Sequence, residues 1–272
     1  MNINDIFVKM SDLEKTLIST ILALRDDILS KLSKINVVGY NPHGEKSRAF
    51  DEEICELLIE SILDKGFDGF VVTEEKIVEG KTEEAIFLDP IDGSLNVARG
   101  INIYALELCY AEKPDLESLS YGLIWDIPNG YYYIGLSNRG AYRFDLETKE
   151  IRVLKAQRKD FEDTLIEIGN TKGKAFDMVK KIGTIRELGS IAYAIAKIAQ
   201  GEIDGLFDNS RKLKFTDIAA GLVILKETGA HYYVEVDGDL LKNPRVKIIA
   251  SCDKELFNEL LEVHKEANRN SR

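Results

Sequence analysis

Asp89-Pro90-Ile91-Asp92-Gly93-Ser94 sets two acids, a glycine and a hydroxyl directly after an apolar run, Ala85-Ile86-Phe87-Leu88. The run reads as a short buried strand. Pro90 fixes its own φ and removes a donor, so the strand is expected to end there in a turn. Asp89 and Asp92 are three residues apart, and a tight turn aims both carboxylates into one space. Two carboxylates forced together repel unless a cation or a proton lies between them. Hard oxygen ligands favour Mg²⁺, Mn²⁺ or Ca²⁺. The N–H groups of Gly93, Ser94 and Leu95 then open a helical turn through Asn96 and Val97, which attracts a phosphate oxygen. The stretch reads as metal on one side and phosphate on the other.

The elements around it form a mixed α and β chain. Ile6, Met10, Leu13, Leu17, Ile21, Leu24 and Ile28 recur at steps of three and four, as on one face of a long amphipathic core helix. The polar stretch 39–46 is either a mobile lid or a surface turn. Asp51 starts a helix with Ile54, Leu57, Leu58 and Ile62 on its apolar face; by itself it is an acid favoured in a first turn. Gly69 to Val72 is an apolar run ending in Thr73-Glu74-Glu75, and adjacent glutamates are ordinarily surface residues. After the central motif, segments 104–110, 119–125, 130–134 and 141–144 alternate as strands of an antiparallel sheet. The second half alternates strand (164–168), helix (175–182), helix from Ser190, strand (203–207), helix (216–227), two strands and a C-terminal helix. Thr216 is expected to cap its helix and Asp217 to stand in the first turn, where dipole compensation alone accounts for it. Ala219-Ala220-Gly221 supplies small side chains for close packing that holds Asp217 rigidly. Residues 1–150 and 151–272 read as two closely packed halves.

A net charge of −11 argues against nucleic-acid binding, which needs clustered Lys and Arg. It leaves room for a phosphorylated small molecule, because bound cations invert the sign locally. Cys55, Cys109 and Cys252 show no paired spacing, and Cys55 and Cys109, in apolar patterns, read as buried thiols, which fits a reducing cytoplasm. The N-terminus lacks the pattern of a signal peptide, and no apolar run reaches the ~20 residues needed to span a bilayer. Abundant Lys, Glu and Ile with few Gln point to a thermophilic source.

The central motif resembles the metal-binding motif of the inositol monophosphatase family, within the superfamily that includes fructose-1,6-bisphosphatases. Val72-Thr73-Glu74-Glu75 resembles the family's upstream glutamate motif, and Phe215-Thr216-Asp217-Ile218-Ala219-Ala220-Gly221 its Trp-Asp-x-Ala-Ala-Gly motif. Ser94 stands for the usual threonine and Thr216 for the usual tryptophan. The resemblance implies a layered αβαβα sandwich, a homodimer or homotetramer, and two or three Mg²⁺ ions, with Mn²⁺ as a substitute. Glu74, Asp89, the Ile91 carbonyl, Asp92 and Asp217 become metal ligands; Asp51 joins a further ion brought by the 39–46 loop, with Lys46 nearby. Glu74, Asp89 and Ser94 become catalytic, with Ser94 bonded toward Glu74 and activating a water. Arg186 before Leu188-Gly189-Ser190 resembles the family's Arg-x-x-Gly-Ser stretch. Asp92, Gly93, Ser94, Arg186, Ile191, Arg211 and Asp217 become the substrate pocket, although a lone basic residue is equally a solvated charge. The implied substrate is a small phosphorylated sugar or polyol, inositol-1-phosphate or fructose-1,6-bisphosphate, with adenosine 3′,5′-bisphosphate or NADP as alternatives. A phosphatase with an aspartyl-phosphate intermediate fits worse, because its two acids are separated by one residue and these by two. A non-enzymatic reading is a structural Ca²⁺ site in a binding or regulatory protein.

Overall fold

The computed structural model describes residues 3–33, 37–40, 46–159 and 162–269. Most of the stretch 39–46, including His43, lies outside them. The elements in chain order begin α1 (Ile3–Phe7), α2 (Asp12–Ala23), α3 (Arg25–Leu32), β1 (Val37–Tyr40), β2 (Lys46–Arg48) and α4 (Ala49–Asp64). The single long helix expected at the start is therefore three. Ser11 starts the second by a capping box: its hydroxyl accepts from Glu14 N at 3.2 Å, and Glu14 Oε2 accepts from Ser11 N at 2.7 Å. The apolar spacing survives the breaks, and Ile6, Met10, Leu17, Ile21 and Ile28 are all buried.

The chain continues with β3 (Phe70–Thr73), β4 (Ile77–Val78), β5 (Ala85–Asp92), α5 (Ser94–Arg99), β6 (Ala105–Ala111), β7 (Leu119–Asp126), β8 (Tyr131–Leu136), β9 (Gly140–Asp145) and β10 (Ile151–Val153). These strands form one sheet in the order β10-β9-β8-β7-β6-β5-β3-β4. Next come β11 (Leu165–Ile168), α6 (Gly173–Val179), β12 (Thr184–Arg186), α7 (Ile191–Ala199), β13 (Gly205–Lys214), a 3₁₀ turn (Phe215–Asp217) and α8 (Ala219–Thr228). The last elements are β14 (His231–Val236), a 3₁₀ turn (Leu240–Lys242), β15 (Arg245–Ser251) and α9 (Lys254–Arg269). The second sheet runs β12-β11-β13-β15-β14.

Three apolar clusters define the layers. One packs α1 to α4 on the outer face of the first sheet; one fills the space between the two sheets around α7 and α8; one seats α6 and α9 on the second sheet. The order is α, β, α, β, α, as expected. Helix α8 lies flush on the first sheet because Gly122 and Gly135 leave room for its backbone. A Cβ at Gly122 would stand 2.3 Å from the Ala220 carbonyl oxygen. Gly221 does the same for α7: a Cβ there would meet Ile195 Cδ1 at 2.6 Å.

Candidate active site

Each acid is delivered by the end of an element. β3 and β5 pair in parallel with Thr73 opposite Leu88, so the next residues, Glu74 just past the end of β3 and Asp89 within β5, stand side by side. β5 does not end at Pro90 as expected. It runs to Asp92, and its pairing with β6 is irregular between Asp89 and Asp92. A proline inside a sheet is tolerated at such an irregularity, where its missing N–H costs no ladder bond. Asp89 Oδ1 accepts from Ile91 N at 3.0 Å, which closes the turn. Gly93 at φ 94° is required by the next step, because Ile103 O, Ser190 Cβ and Gly189 O crowd the place of a Cβ at 3.0–3.2 Å. α5 then begins at Ser94. Asn96 N and Val97 N donate to Gly93 O at 2.8 and 3.2 Å, which closes the first turn of the helix.

Asp217 arrives from the other half. It ends a 3₁₀ turn, one residue ahead of the α8 cap, rather than standing in the helix's first turn. Its Oδ2 accepts from Lys214 N at 2.9 Å and its Oδ1 from Thr216 Oγ1 at 3.3 Å. Thr216 does not cap α8, because Asn243 holds it. Thr216 N donates to Asn243 Oδ1 at 3.0 Å, and Asn243 Nδ2 donates to Thr216 Oγ1 at 3.1 Å and to Thr73 O at 3.3 Å. Asn243 therefore ties the residue before Glu74, 170 positions away from it in sequence, to the residue before Asp217. Removing it leaves several buried polar groups unsatisfied. Asn243→Ala is expected to cost about 3 kcal/mol in urea unfolding and to lower turnover about tenfold through misplaced acids.

Asp92 is held by the N-terminus of α7. Ala192 N donates to Asp92 Oδ2 at 2.7 Å and the capping Ser190 Oγ donates to the same oxygen at 2.8 Å. The loop before it is pinned from both sides. Leu188 N donates to the Glu167 carboxylate at 3.0 and 3.2 Å, and Asn96 Nδ2 donates to Leu188 O at 2.7 Å. Burial pushes Glu167 up to about 8 against the pull of that amide. A raised carboxyl stabilises the fold at low pH and loses that contribution as pH rises through its folded value. Glu167→Gln keeps the acceptor without the charge. Its stability gain over the wild type is expected to grow by about 2 kcal/mol between pH 6 and pH 9 in urea titrations; a constant difference would show that Glu167 carries no such penalty.

The electrostatics of the centre are those of crowded carboxylates. Asp89 is raised by burial first and then by Glu74, Asp92, Asp217 and Glu107. Burial lifts Asp92 to about 7 against its bonds to Ser190 and Ala192. Asp217 is raised by burial, Glu74 and Asp92, and drawn back by Lys214. Glu107, opposite Asp89 on β6, is fully buried and raised by burial, Asp92 and Asp217. The amides of Ala220 and Gly221 face it, but no hydrogen bond of ordinary geometry reaches either oxygen. Among the described residues, no three His, Cys, Asp or Glu side chains are drawn close enough to hold an ion as they stand. The donor set nevertheless fits divalent cations: hard carboxylates, buried together, each raising the next.

Lys214, Asn243, Glu107 and Glu167 were missed from sequence. Glu107 had a signal, a lone acid inside the apolar run Ala105–Cys109. Asp51 is in the first turn of α4, half-buried. Arg186 ends β12, exposed, donating to Ile185 O at 2.9 Å. Arg211 is exposed and turned to acids of the second sheet, pairing with Glu235 and with Asp237 Oδ2 at 3.1 Å. Ile191 opens α7 beside Asp92, and is buried. Cys55 and Cys109 are free and buried, as expected, and Cys252 is free and buried as well.

Layered sheets that deliver acids to one turn, beside a short helix start, define a hydrolase of phosphate monoesters. The inositol monophosphatase family model matches residues 11–268, and the chain belongs to that family. A fructose-1,6-bisphosphatase of Pyrococcus furiosus is 29% identical over 83% of this chain and 86% of its own length. A protein of Methanocaldococcus jannaschii named fructose-1,6-bisphosphatase/inositol-1-monophosphatase is 29% identical over 85% of this chain and 89% of its own. A bifunctional NADP phosphatase/NAD kinase of Methanococcus maripaludis is 27% identical over 83% of this chain but 44% of its own. Among solved structures, a Pyrococcus horikoshii protein described as having similarities for inositol-1 monophosphatase superposes with a TM-score of 0.74 at 26% identity, covering 92% of this chain and 96% of that one.

Proposed function

We propose that this hydrolase removes phosphate from small phosphorylated sugars or polyols, inositol-1-phosphate and fructose-1,6-bisphosphate among them, with Mg²⁺ or Mn²⁺ as cofactor. The observation that carries the reading is the set Glu74, Asp89, Asp92, Asp217 and Glu107, whose carboxylates act on one another around one turn, with Asp89, Asp217 and Glu107 buried and Glu74 partly open. Glu74, Asp89, the Ile91 carbonyl, Asp92 and Asp217 are the residues that would hold the ions, with Asp51 at a further one. Bound there, Mg²⁺ supplies a water of lowered pKa and charge stabilisation for the leaving oxygen. The protein's own part is placement. Ser94 and the partly open Glu74 hold the attacking water and take its proton. The amides of Gly93 and Ser94 orient the phosphoryl group. Asp92, Asp217, Arg186 and Ile191 border the rest of the substrate. Arg211 joins them only by leaving its pairs with Glu235 and Asp237. Free, buried thiols accord with a reducing cytoplasm, and the family resemblance with a homodimer or homotetramer; the composition accords with a thermophilic source. No described helix is long and apolar enough to cross a membrane.

The test is phosphate release with Mg²⁺ from inositol-1-phosphate, fructose-1,6-bisphosphate and adenosine 3′,5′-bisphosphate. Turnover of either of the first two, abolished by a chelator and restored by Mg²⁺, is the expected result. Turnover of the nucleotide alone, or of NADP alone, would overturn the substrate class while keeping the chemistry. Ion binding without turnover of any of them would favour the non-enzymatic reading.

A further inference from the structure

Lys214 is a buried cation inside a centre built for cations. Its side chain is 1% exposed, and its Nζ donates to Glu74 Oε1 at 3.0 Å. Its backbone N–H donates to Asp217 Oδ2, and its charge acts on that carboxylate. The residue is thus clasped between two acids that come from opposite halves of the chain. Taking an ammonium out of water costs several kcal/mol, and a lysine is buried only where negative charge repays that cost. Among the strongest influences on Asp89, Asp92, Asp217 and Glu107 from the described residues, the one exerted by a cationic side chain is that of Lys214 on Asp217.

We infer that Lys214 is a tethered cation of the metal centre, holding by its ammonium the cation position at Glu74 until a divalent ion displaces it. This rests on the proposed metal-dependent function. A flexible four-carbon stem lets the ammonium withdraw without moving the backbone that holds Asp217. While it stays on Glu74, a divalent ion meets a like charge and one fewer free carboxylate oxygen. Lys214 therefore sets how tightly that ion binds, and keeps the ion-free acids from repelling one another open. A purely structural ion pair would do only the second.

Mn²⁺ binding to the full chain without substrate, followed by titration calorimetry and by the spin resonance of free Mn²⁺, separates the two. Lys214→Met is expected to bind Mn²⁺ about tenfold tighter, or to take up one further ion per chain. Lys214→Arg keeps the charge and is expected to stay within roughly twofold of the wild type. Lys214→Gln serves where the methionine variant does not fold, as judged by its melting transition. Unchanged or weaker binding in the uncharged variants, with normal binding in the wild type, would overturn the inference and leave the proposed function standing. A wild type that binds no Mn²⁺ would overturn both.

Discussion

Asp89→Asn lowers kcat/KM for the responsive substrate by about 10³-fold or more, while the ion-free protein melts no lower than the wild type. The two halves of this expectation have one cause. Asp89 is 5% exposed and faces Glu74, Asp92, Asp217 and Glu107. With divalent ions present, its charge joins the others in holding them. Without ions, the same charge is buried among its like. Asparagine keeps the acceptor for Ile91 N–H and removes the charge. The sign follows from the direction of the shift. A carboxyl raised in the fold stabilises at low pH and loses that as pH rises. The ion-free variant is therefore expected to melt above the wild type at pH 8, with the gap closing toward pH 5. Thermal melts in chelator at the two pH values, beside phosphate-release assays in Mg²⁺, check both halves. A folded variant that keeps its turnover would remove Asp89 from the chemistry.

The second large effect is expected far from any acid. Gly122→Ala places a methyl where the Ala220 carbonyl oxygen, carbon and Cα stand at 2.3–3.1 Å. All three atoms are backbone, so no side chain can rotate away and α8 must lift off the sheet. The expected loss is about 3 kcal/mol or more in urea unfolding. Because Asp217 precedes Ala220 by three residues, turnover should also fall, by about 10²-fold, from a displacement near 1 Å. Gly66→Ala is the control. Gly66 has φ 89° with nothing within 4 Å of a Cβ, so it pays only the left-handed backbone cost, about 1–2 kcal/mol, with turnover intact. Equal losses at the two positions would mean that α8 does not depend on Gly122.

The acids were legible for a local reason. Asp89, Asp92, Gly93 and Ser94 sit in one turn, and their chemistry is written within six residues. The small run Ala219-Ala220-Gly221 likewise announced a closely packed helix, and α8 meets both α7 and the first sheet there. Helix limits were less legible. The 3.6-residue period runs through Ser11 and Leu24 without a change of face, so spacing alone shows one helix where a capping box and a break at Leu24 make three. Pro90 misled for the opposite reason. Its rule is sound at a regular ladder, but the pairing of β5 with β6 is irregular at that point.

By itself, then, the sequence determined the kind of chemistry and the central stretch 89–94 that carries it, because short-range spacing decides which donors a turn can present; Glu74 and Asp217 joined it only through the family resemblance. It also determined a mixed α and β chain, because periodicity decides which face of each element is apolar; the alternation of layers followed only from the family resemblance. The tertiary structure alone decided what surrounds those donors. Glu107 reaches the centre through strand pairing, Asn243 through a bond 170 residues long in sequence, and Lys214 through a side chain crossing between the halves. Such contacts leave no local pattern, since the partners meet only after the sheets and helices have packed; and it is their burial that turns ordinary acids into mutually raised ones.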